Sequence, residues 1–302
     1  MADENLQKGR AFTSMLIGLK LDVGFEGDET CCRLYGEREI LPFLRELGIE
    51  AVETPVGPET QPEVLEEHIR RCVDAGMKVS LHPYSEDSIF NPAHFSREPD
   101  NPCRELHERF FSFAAEAARL QRHSSVVNLH AAAGTSADSR QDLIDRSVAF
   151  FTWAGDWCRR NAPEVCVTVE LQISPSAGVP QQRIGDTYPE LLEVATRSQV
   201  GACWDFGHAY WNTYQYGWPL YPPDALIPHI RHVHCHDAHN EDHQPLVYGA
   251  VPWEDFLRFL MNHGYDGRII LEVPPSEFLK AGGISSLADS ARALREWIRR
   301  RL

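Results

Sequence analysis

Short, almost uninterrupted apolar segments recur along the chain and are separated by longer segments with helical periodicity. Segments that are apolar at consecutive positions are typical of parallel strands covered on both faces. The pattern predicts eight strands, which are Met15–Leu21, Ala51–Thr54, Lys78–His82, Ser125–His130, Cys166–Leu171, Gly201–Asp205, His232–His236 and Arg268–Val273.

Amphipathic helices are predicted between these strands, since apolar residues such as Leu106, Phe110 and Phe113 share one helical face. The predicted helices are Glu37–Leu47, two helices opened by the capping boxes Thr60–Glu63 and Thr187–Glu190, Arg104–Arg122, Asp142–Arg160, Trp253–His263 and Ser286–Leu302. Eight strand–helix units in 302 residues predict an α/β protein with a single (β/α)8 TIM barrel. A doubly wound open sheet is the alternative, but no G-x-G-x-x-G follows the first strand.

The domain prediction is one barrel domain over residues 1–302, with residues 1–13 as a loose N-terminal segment. No linker or low-complexity segment divides the chain. The polar N-terminus does not resemble a secretory signal, and no apolar stretch reaches the ~20 residues of a membrane helix. Eight cysteines without a C-x-x-C pair are typical of a reducing environment, so we expect a cytoplasmic protein without a membrane partner.

The net charge of the chain indicates which classes of partner to expect. The chain has 29 Lys and Arg against 44 Asp and Glu, a formal net charge of −15 at pH 7. Nucleic-acid affinity comes largely from cationic side chains at phosphates, so a nucleic-acid partner is not expected.

Six of the eight predicted strands end in a residue that can bind a metal. These residues are His82, His130, Glu170, Asp205, His234 and Glu272. The C-terminal strand ends of a TIM barrel meet at one mouth, so these side chains are expected to lie together. Each one alone could be an ordinary hydrogen-bonded residue, but several crowded carboxylates would repel one another unless a cation neutralised them. The donor types suit Mn²⁺, Co²⁺, Mg²⁺, Fe²⁺ or Zn²⁺, and no organic cofactor is predicted.

Several motifs at these strand ends resemble one known group of barrels. They are Val127–His130, Val169–Glu170, Cys203–Ala209, His232–Asp237 and Ile270–Glu272. The chain resembles the xylose isomerase-like TIM-barrel superfamily, which includes sugar (phosphate) isomerases and epimerases and the related endonuclease IV enzymes. The most specific matches are the D-x-x-H after the sixth strand and the H-x-x-D at the seventh.

For the isomerase and epimerase branch, the resemblance implies a metal held by Glu170, Asp205, His234 and Glu272, with His208 as a substrate or second-metal contact. For the endonuclease IV branch, it implies a multinuclear zinc site. The matching residues are His82, His130, Glu170, Asp205, His208, His234 and Glu272. That branch's D-x-H motif corresponds only to Glu241-Asp-His243, so Glu241 and His243 are further candidate contacts.

Paired carboxylates suggest proton-transfer chemistry. A cation would stabilise an enediolate formed from a ketose, while one carboxylate removes the proton next to the carbonyl and another returns a proton. Glu170 and Glu272 belong to different strands and can flank a substrate, which serves either isomerisation or epimerisation.

An aromatic segment follows the sixth strand, and we predict that Ala209–Trp218 forms a loop. Tyr210, Trp211 and Tyr214 could stack on a sugar, or pack against a neighbouring loop or a second subunit of a homo-oligomer. The function expected first is a divalent-metal-dependent sugar or sugar phosphate isomerase or epimerase. The alternatives are an endonuclease IV-like phosphodiester hydrolase and a catalytically silent barrel.

Overall fold

The computed structural model describes residues 15–83, 88–238 and 241–301. The strands are β1 (Leu16–Lys20), β2 (Ala51–Val56), β3 (Lys78–Pro83), β4 (Ser125–Leu129), β5 (Ala133–Thr135), β6 (Val165–Glu170), β7 (Gln181–Arg183), β8 (Gly201–Asp205), β9 (Ile230–Cys235) and β10 (Arg268–Leu271). The α-helices are α1 (Glu29–Tyr35), α2 (Ile40–Glu46), α3 (Pro62–Asp74), α4 (Pro102–Gln121), α5 (Arg140–Asn161), α6 (Tyr188–Ser198), α7 (Phe206–Tyr216), α8 (Trp253–Asn262), α9 (Pro275–Lys280) and α10 (Ile284–Arg299).

Eight of these strands form a closed barrel in the order β1-β2-β3-β4-β6-β8-β9-β10, with β10 pairing back to β1. Every neighbouring pair in the barrel is parallel. The predicted TIM barrel is therefore confirmed, and each of the eight predicted strands overlaps a barrel strand. The N-terminal segment 1–13 lies outside the described residues, and the single domain over 1–302 stays a prediction.

Strand alternation divides the barrel residues between an interior and an outer layer. The outer layer is apolar: Trp204, for example, packs against Phe206 and Phe256, with ring centroids 4.8 and 5.0 Å away. Gly18 of β1 lies against its register partner on the neighbouring strand β10, since an added Cβ would lie 2.4 Å from Ile270 Cδ1. The absence of a side chain at Gly18 therefore leaves room for the Ile270 side chain.

Two local expectations were wrong, and several short elements were not predicted. The segment expected as a loop after the sixth barrel strand is helix α7, because Asp205 caps it by accepting from the backbone N of His208 at 2.7 Å. Helices α1 and α9 and the short antiparallel pair β5–β7 were not predicted. Both capping boxes correctly predict a helix, but neither threonine caps it. Thr187 is the N-cap of α6 and makes no side-chain hydrogen bond there. Thr60 lies one residue before the N-cap of α3, and its hydroxyl accepts a hydrogen bond from the backbone N of Gly57. Within the described ranges, no helix is both long and apolar enough to cross a bilayer.

Candidate metal centre and cavity

Four side chains that the sequence places at separate strand ends meet in one cluster. Glu170 ends β6, Asp205 ends β8, His234 lies in β9 and Glu272 directly follows β10. Each offers one ligand atom, and these four atoms all lie within 4.8 Å of one another. All four residues are buried, with at most 3% of their surface exposed. The expected convergence at the C-terminal mouth is thus observed.

The donor atoms of this cluster fit a divalent cation. His234 Nδ1 lies 2.7 Å from Glu272 Oε2, 3.5 Å from Asp205 Oδ2 and 3.6 Å from Glu170 Oε2. His234 Nδ1 and Glu272 Oε2 are buried without a hydrogen bond. Three carboxylates and one imidazole are ligands that Mn²⁺, Co²⁺, Mg²⁺ and Zn²⁺ accept, and a cation would satisfy both unpartnered atoms.

Electrostatics keep the carboxylates ionised. Burial raises the pKa of Glu170, but the imidazoles of His234 and His130 outweigh burial and bring that pKa to about 2. Burial also raises the pKa of Asp205, and His208 and His236 reverse that shift and leave it below its usual range. Ionised carboxylates are the form that binds a cation and accepts a proton.

A second layer of contacts surrounds Glu170. His82 Nε2 lies 3.5 Å and His130 Nε2 3.6 Å from Glu170 Oε2. His82 Nδ1 donates to the carbonyl of Asn128 at 2.9 Å, and Asn128 Nδ2 donates to Glu170 Oε2 at 2.5 Å. The structure therefore brings both predicted histidines to the cluster and adds Asn128, which the sequence analysis did not single out.

A second group of donors lies beside the first and consists of His208, His236, Asp242 and His243, with ligand atoms within 4.8 Å of one another. His208 Nε2 lies 3.2 Å from Asp242 Oδ2, and the rings of His236 and His243 stack with centroids 4.5 Å apart. Gly207 is required here, because a Cβ on it would lie 1.9 Å from His236 Cε1.

Glu241 does not join either group. Its exposed side chain pairs with Lys280 at 3.3 Å, and the next residue, Asp242, provides the carboxylate instead. Glu241 was the expected contact because it occupies the first position of the D-x-H-like triplet. Only the path of the loop after β9 shows which carboxylate turns inward.

A cavity of about 1200 Å³ opens above the cluster. Its lining includes Lys20, His82, Glu170, His208, Trp211 and Glu272. Of the three aromatic candidates on α7, Trp211 lines this cavity, Tyr210 is half-buried and Tyr214 is 78% exposed. Lys20, at the end of β1, places Nζ 3.6 Å from Glu272 Oε1. Lys20 is not a metal ligand, so the pattern of ligand types at strand ends does not include it, although its position at the end of β1 places it at the same mouth.

Together, the barrel, the clustered carboxylates and the cavity define a TIM-barrel protein with a candidate metal centre at the C-terminal mouth. The family model described as xylose isomerase-like TIM barrel matches residues 41–301, and the chain belongs to that family. No match was found among curated proteins.

Solved structures with the same fold include several named epimerases. A D-tagatose 3-epimerase-like protein is 19% identical, with a TM-score of 0.66 over 94% of this chain and 97% of that chain. The 3-keto-D-glucoside 4-epimerase from E. coli is 15% identical, with a TM-score of 0.61 over 92% and 99%. The D-psicose 3-epimerase from Clostridium cellulolyticum H10 is 14% identical, with a TM-score of 0.60 over 94% and 98%. At these identities the likeness establishes the fold.

Proposed function

We propose that this protein is a divalent-metal-dependent sugar isomerase or epimerase in which Glu170 and Glu272 transfer the proton. The observation that carries the proposal is the cluster of Glu170, Asp205, His234 and Glu272, whose ligand atoms lie within 4.8 Å of one another below the cavity. The epimerase names of several structures with this fold favour a small sugar as the substrate.

The arrangement of the two glutamates suits proton transfer at a carbon next to a carbonyl. In the barrel, β8 and β9 separate β6 from β10, so Glu170 and Glu272 approach the cavity from different parts of the wall. An ionised carboxylate on one side removes the proton, and the other carboxyl group, once it has taken up a proton from water in the cavity, returns that proton from its own side. Return of the proton to the opposite face of the same carbon inverts the configuration of that carbon, whereas return to the neighbouring carbon isomerises the sugar.

Other residues of the chain support this chemistry. Glu170, Asp205, His234 and Glu272 would hold the cation, which when bound supplies Lewis-acid stabilisation of negative charge on the substrate oxygen. Lys20 approaches Glu272 from the cavity wall and favours its ionised form. The Trp211 ring provides an apolar surface for one face of a sugar and excludes water there.

A phosphodiester hydrolase with a multinuclear zinc site is the second candidate. Two further donor groups beside the central cluster favour it. One consists of His82, His130 and Glu170, and the other is the group around His208 and Asp242. The net charge of −15 disfavours a nucleic-acid substrate.

Metal analysis combined with a substrate screen tests the proposal. The purified protein is analysed for metals and then incubated with free and phosphorylated ketoses and Mn²⁺ or Co²⁺ in D2O. One or two ions per chain, with deuterium incorporated next to the carbonyl, supports the isomerase or epimerase. Three tightly bound zinc ions with phosphodiester cleavage would support the hydrolase and overturn the first proposal, as would the absence of both metal binding and sugar turnover.

A further inference from the structure

Glu53 lies inside the barrel and contacts two histidines of the opposite wall. It belongs to β2 and is only 2% exposed. Its Oε1 lies 2.6 Å from His234 Nε2, and its Oε2 lies 2.6 Å from His232 Nε2. Both histidines belong to β9, which is three strands away from β2 around the barrel.

The contact determines which nitrogen of His234 carries a proton. A carboxylate only accepts hydrogen bonds, so the two nitrogens 2.6 Å from it must be the donors. An imidazole that donates from Nε2 can present its lone pair only at Nδ1. In His234 this is the atom that faces the cluster, 2.7 Å from Glu272 Oε2 and without a hydrogen bond.

We propose that Glu53 is a positioning residue for the metal centre: it holds the His234 ring with Nε2 protonated, so that Nδ1 is the ligand atom. This inference rests on the proposed function, because it assumes that the cluster binds a divalent cation. A carboxylate behind a metal-bound imidazole fixes the ring orientation and raises the basicity of the ligand nitrogen.

A second contact of His234 Nε2, with the side-chain amide of Asn128, does not change this assignment. Asn128 Nδ2 lies 3.4 Å from His234 Nε2 and could donate only to an unprotonated nitrogen. The same amide group lies 2.5 Å from Glu170 Oε2, a carboxylate oxygen that accepts its hydrogen bond. The shorter contact to Glu53 therefore sets the protonated nitrogen of His234, and Asn128 serves Glu170.

Glu53→Gln is the informative variant, since an amide has one accepting oxygen and one donating nitrogen and cannot accept from both imidazoles. We expect this variant to bind Mn²⁺ and Zn²⁺ about 10–100-fold more weakly in competition with a fluorescent chelator. The matched control is His232→Gln, which retains a donor for Glu53 Oε2 and leaves the His234 contact intact. Its metal affinity should stay within about threefold of wild type. Circular dichroism of the metal-free proteins verifies that the variants are folded.

A measurement on the zinc-loaded wild-type protein tests the same point. With ¹⁵N-labelled histidine, His234 should appear as an Nε2–H ring with zinc on Nδ1, and the signal that is missing from the spectrum of His234→Ala identifies it. An Nδ1–H ring for His234, or equal affinities of Glu53→Gln and His232→Gln, would overturn this inference alone. A wild-type protein that binds neither metal would overturn the proposed function and this inference together.

Discussion

The Nδ1 atom of His234 lies 2.7 Å from Oε2 of Glu272, yet neither atom makes a hydrogen bond. The two residues come from adjacent strands, where Ile270 pairs with His234 in the parallel register of β9 and β10. A buried polar atom without a partner costs about 1–3 kcal/mol. A cation bound between the two atoms would give each of them a partner and offset this cost.

A divalent cation should therefore stabilise the folded protein. At a free metal concentration of about 100 times Kd, linkage predicts about 2.7 kcal/mol of stabilisation, or a rise in Tm of about 5 °C for a chain of this size. Thermal unfolding of the metal-free protein with increasing Mn²⁺, Co²⁺ or Zn²⁺ measures the effect. Under the same conditions His234→Ala should lose most of the rise, and an equal rise in this variant would place the bound metal elsewhere.

The two glutamates should have distinguishable roles. In Glu170→Gln or Glu272→Gln, the neutral amide cannot accept the proton, so we expect kcat to fall about 10³-fold with saturating metal. In an epimerase, the remaining carboxylate can still remove the substrate proton from the epimer in which that proton points toward it. After exchange with D2O it returns a deuteron to the same face. Each variant should therefore incorporate deuterium from D2O into only one epimer, and the two variants should prefer opposite epimers.

Metal content has to be measured beside these rates, because both glutamates also belong to the candidate metal cluster. A variant that retains metal but loses epimerisation supports the proton-transfer role. Wild-type turnover in either variant would contradict the assignment of that glutamate.

The eight barrel strands could be predicted because their signal is local. Each is a short apolar run, and the ligand types at the ends of six runs are visible in the sequence. Once a barrel is assumed, its geometry brings Glu170, Asp205, His234 and Glu272 together without knowledge of any side-chain contact. This is why the central cluster was anticipated from strand ends alone.

The remaining features depend on contacts that no local pattern encodes. Glu53 meets His234 across the barrel interior, at a separation of 181 residues. The choice between Glu241 and Asp242 depends on the path of the loop after β9. Helix α7 forms where a loop was expected after the sixth strand, because the Asp205 cap and the burial of Phe206 outweigh the low helix propensity of its glycine and aromatic residues.

Helix α7 offers a direct test of substrate contact, because Trp211 lines the cavity while Tyr214, three residues later, is 78% exposed. If Trp211 packs against the sugar, Trp211→Ala should raise KM about tenfold and change kcat little. Tyr214→Ala on the same helix should leave both constants within about twofold. Steady-state kinetics on the best ketose of the screen gives both values. An unchanged KM in Trp211→Ala would exclude this contact.

Stability should also depend on pH through a histidine remote from the cavity. His107 on α4 is 1% exposed, and its Nδ1 donates to the carbonyl of Cys103 at 2.7 Å. Burial among aromatic rings, including that of Phe150 at 4.7 Å, lowers the pKa of His107 to about 4. In the unfolded chain the same ring titrates near pH 6.5, so the unfolded state binds the proton first as the pH falls. The stability that the neutral ring contributes above pH 6.5 is therefore lost progressively toward pH 4.

Between pH 7 and pH 5 this linkage amounts to about 2 kcal/mol for His107. Urea unfolding of metal-free wild type and His107→Phe at both pH values measures it: the loss on acidification should be about 2 kcal/mol smaller in the variant, whatever its stability at pH 7. His263 is the matched control, since its Nδ1 also donates to a carbonyl four residues earlier, that of Phe259 at 2.8 Å, but its ring is exposed. His263→Phe should retain the wild-type loss. If His107→Phe also retains it, the buried ring is not what makes the fold acid-sensitive.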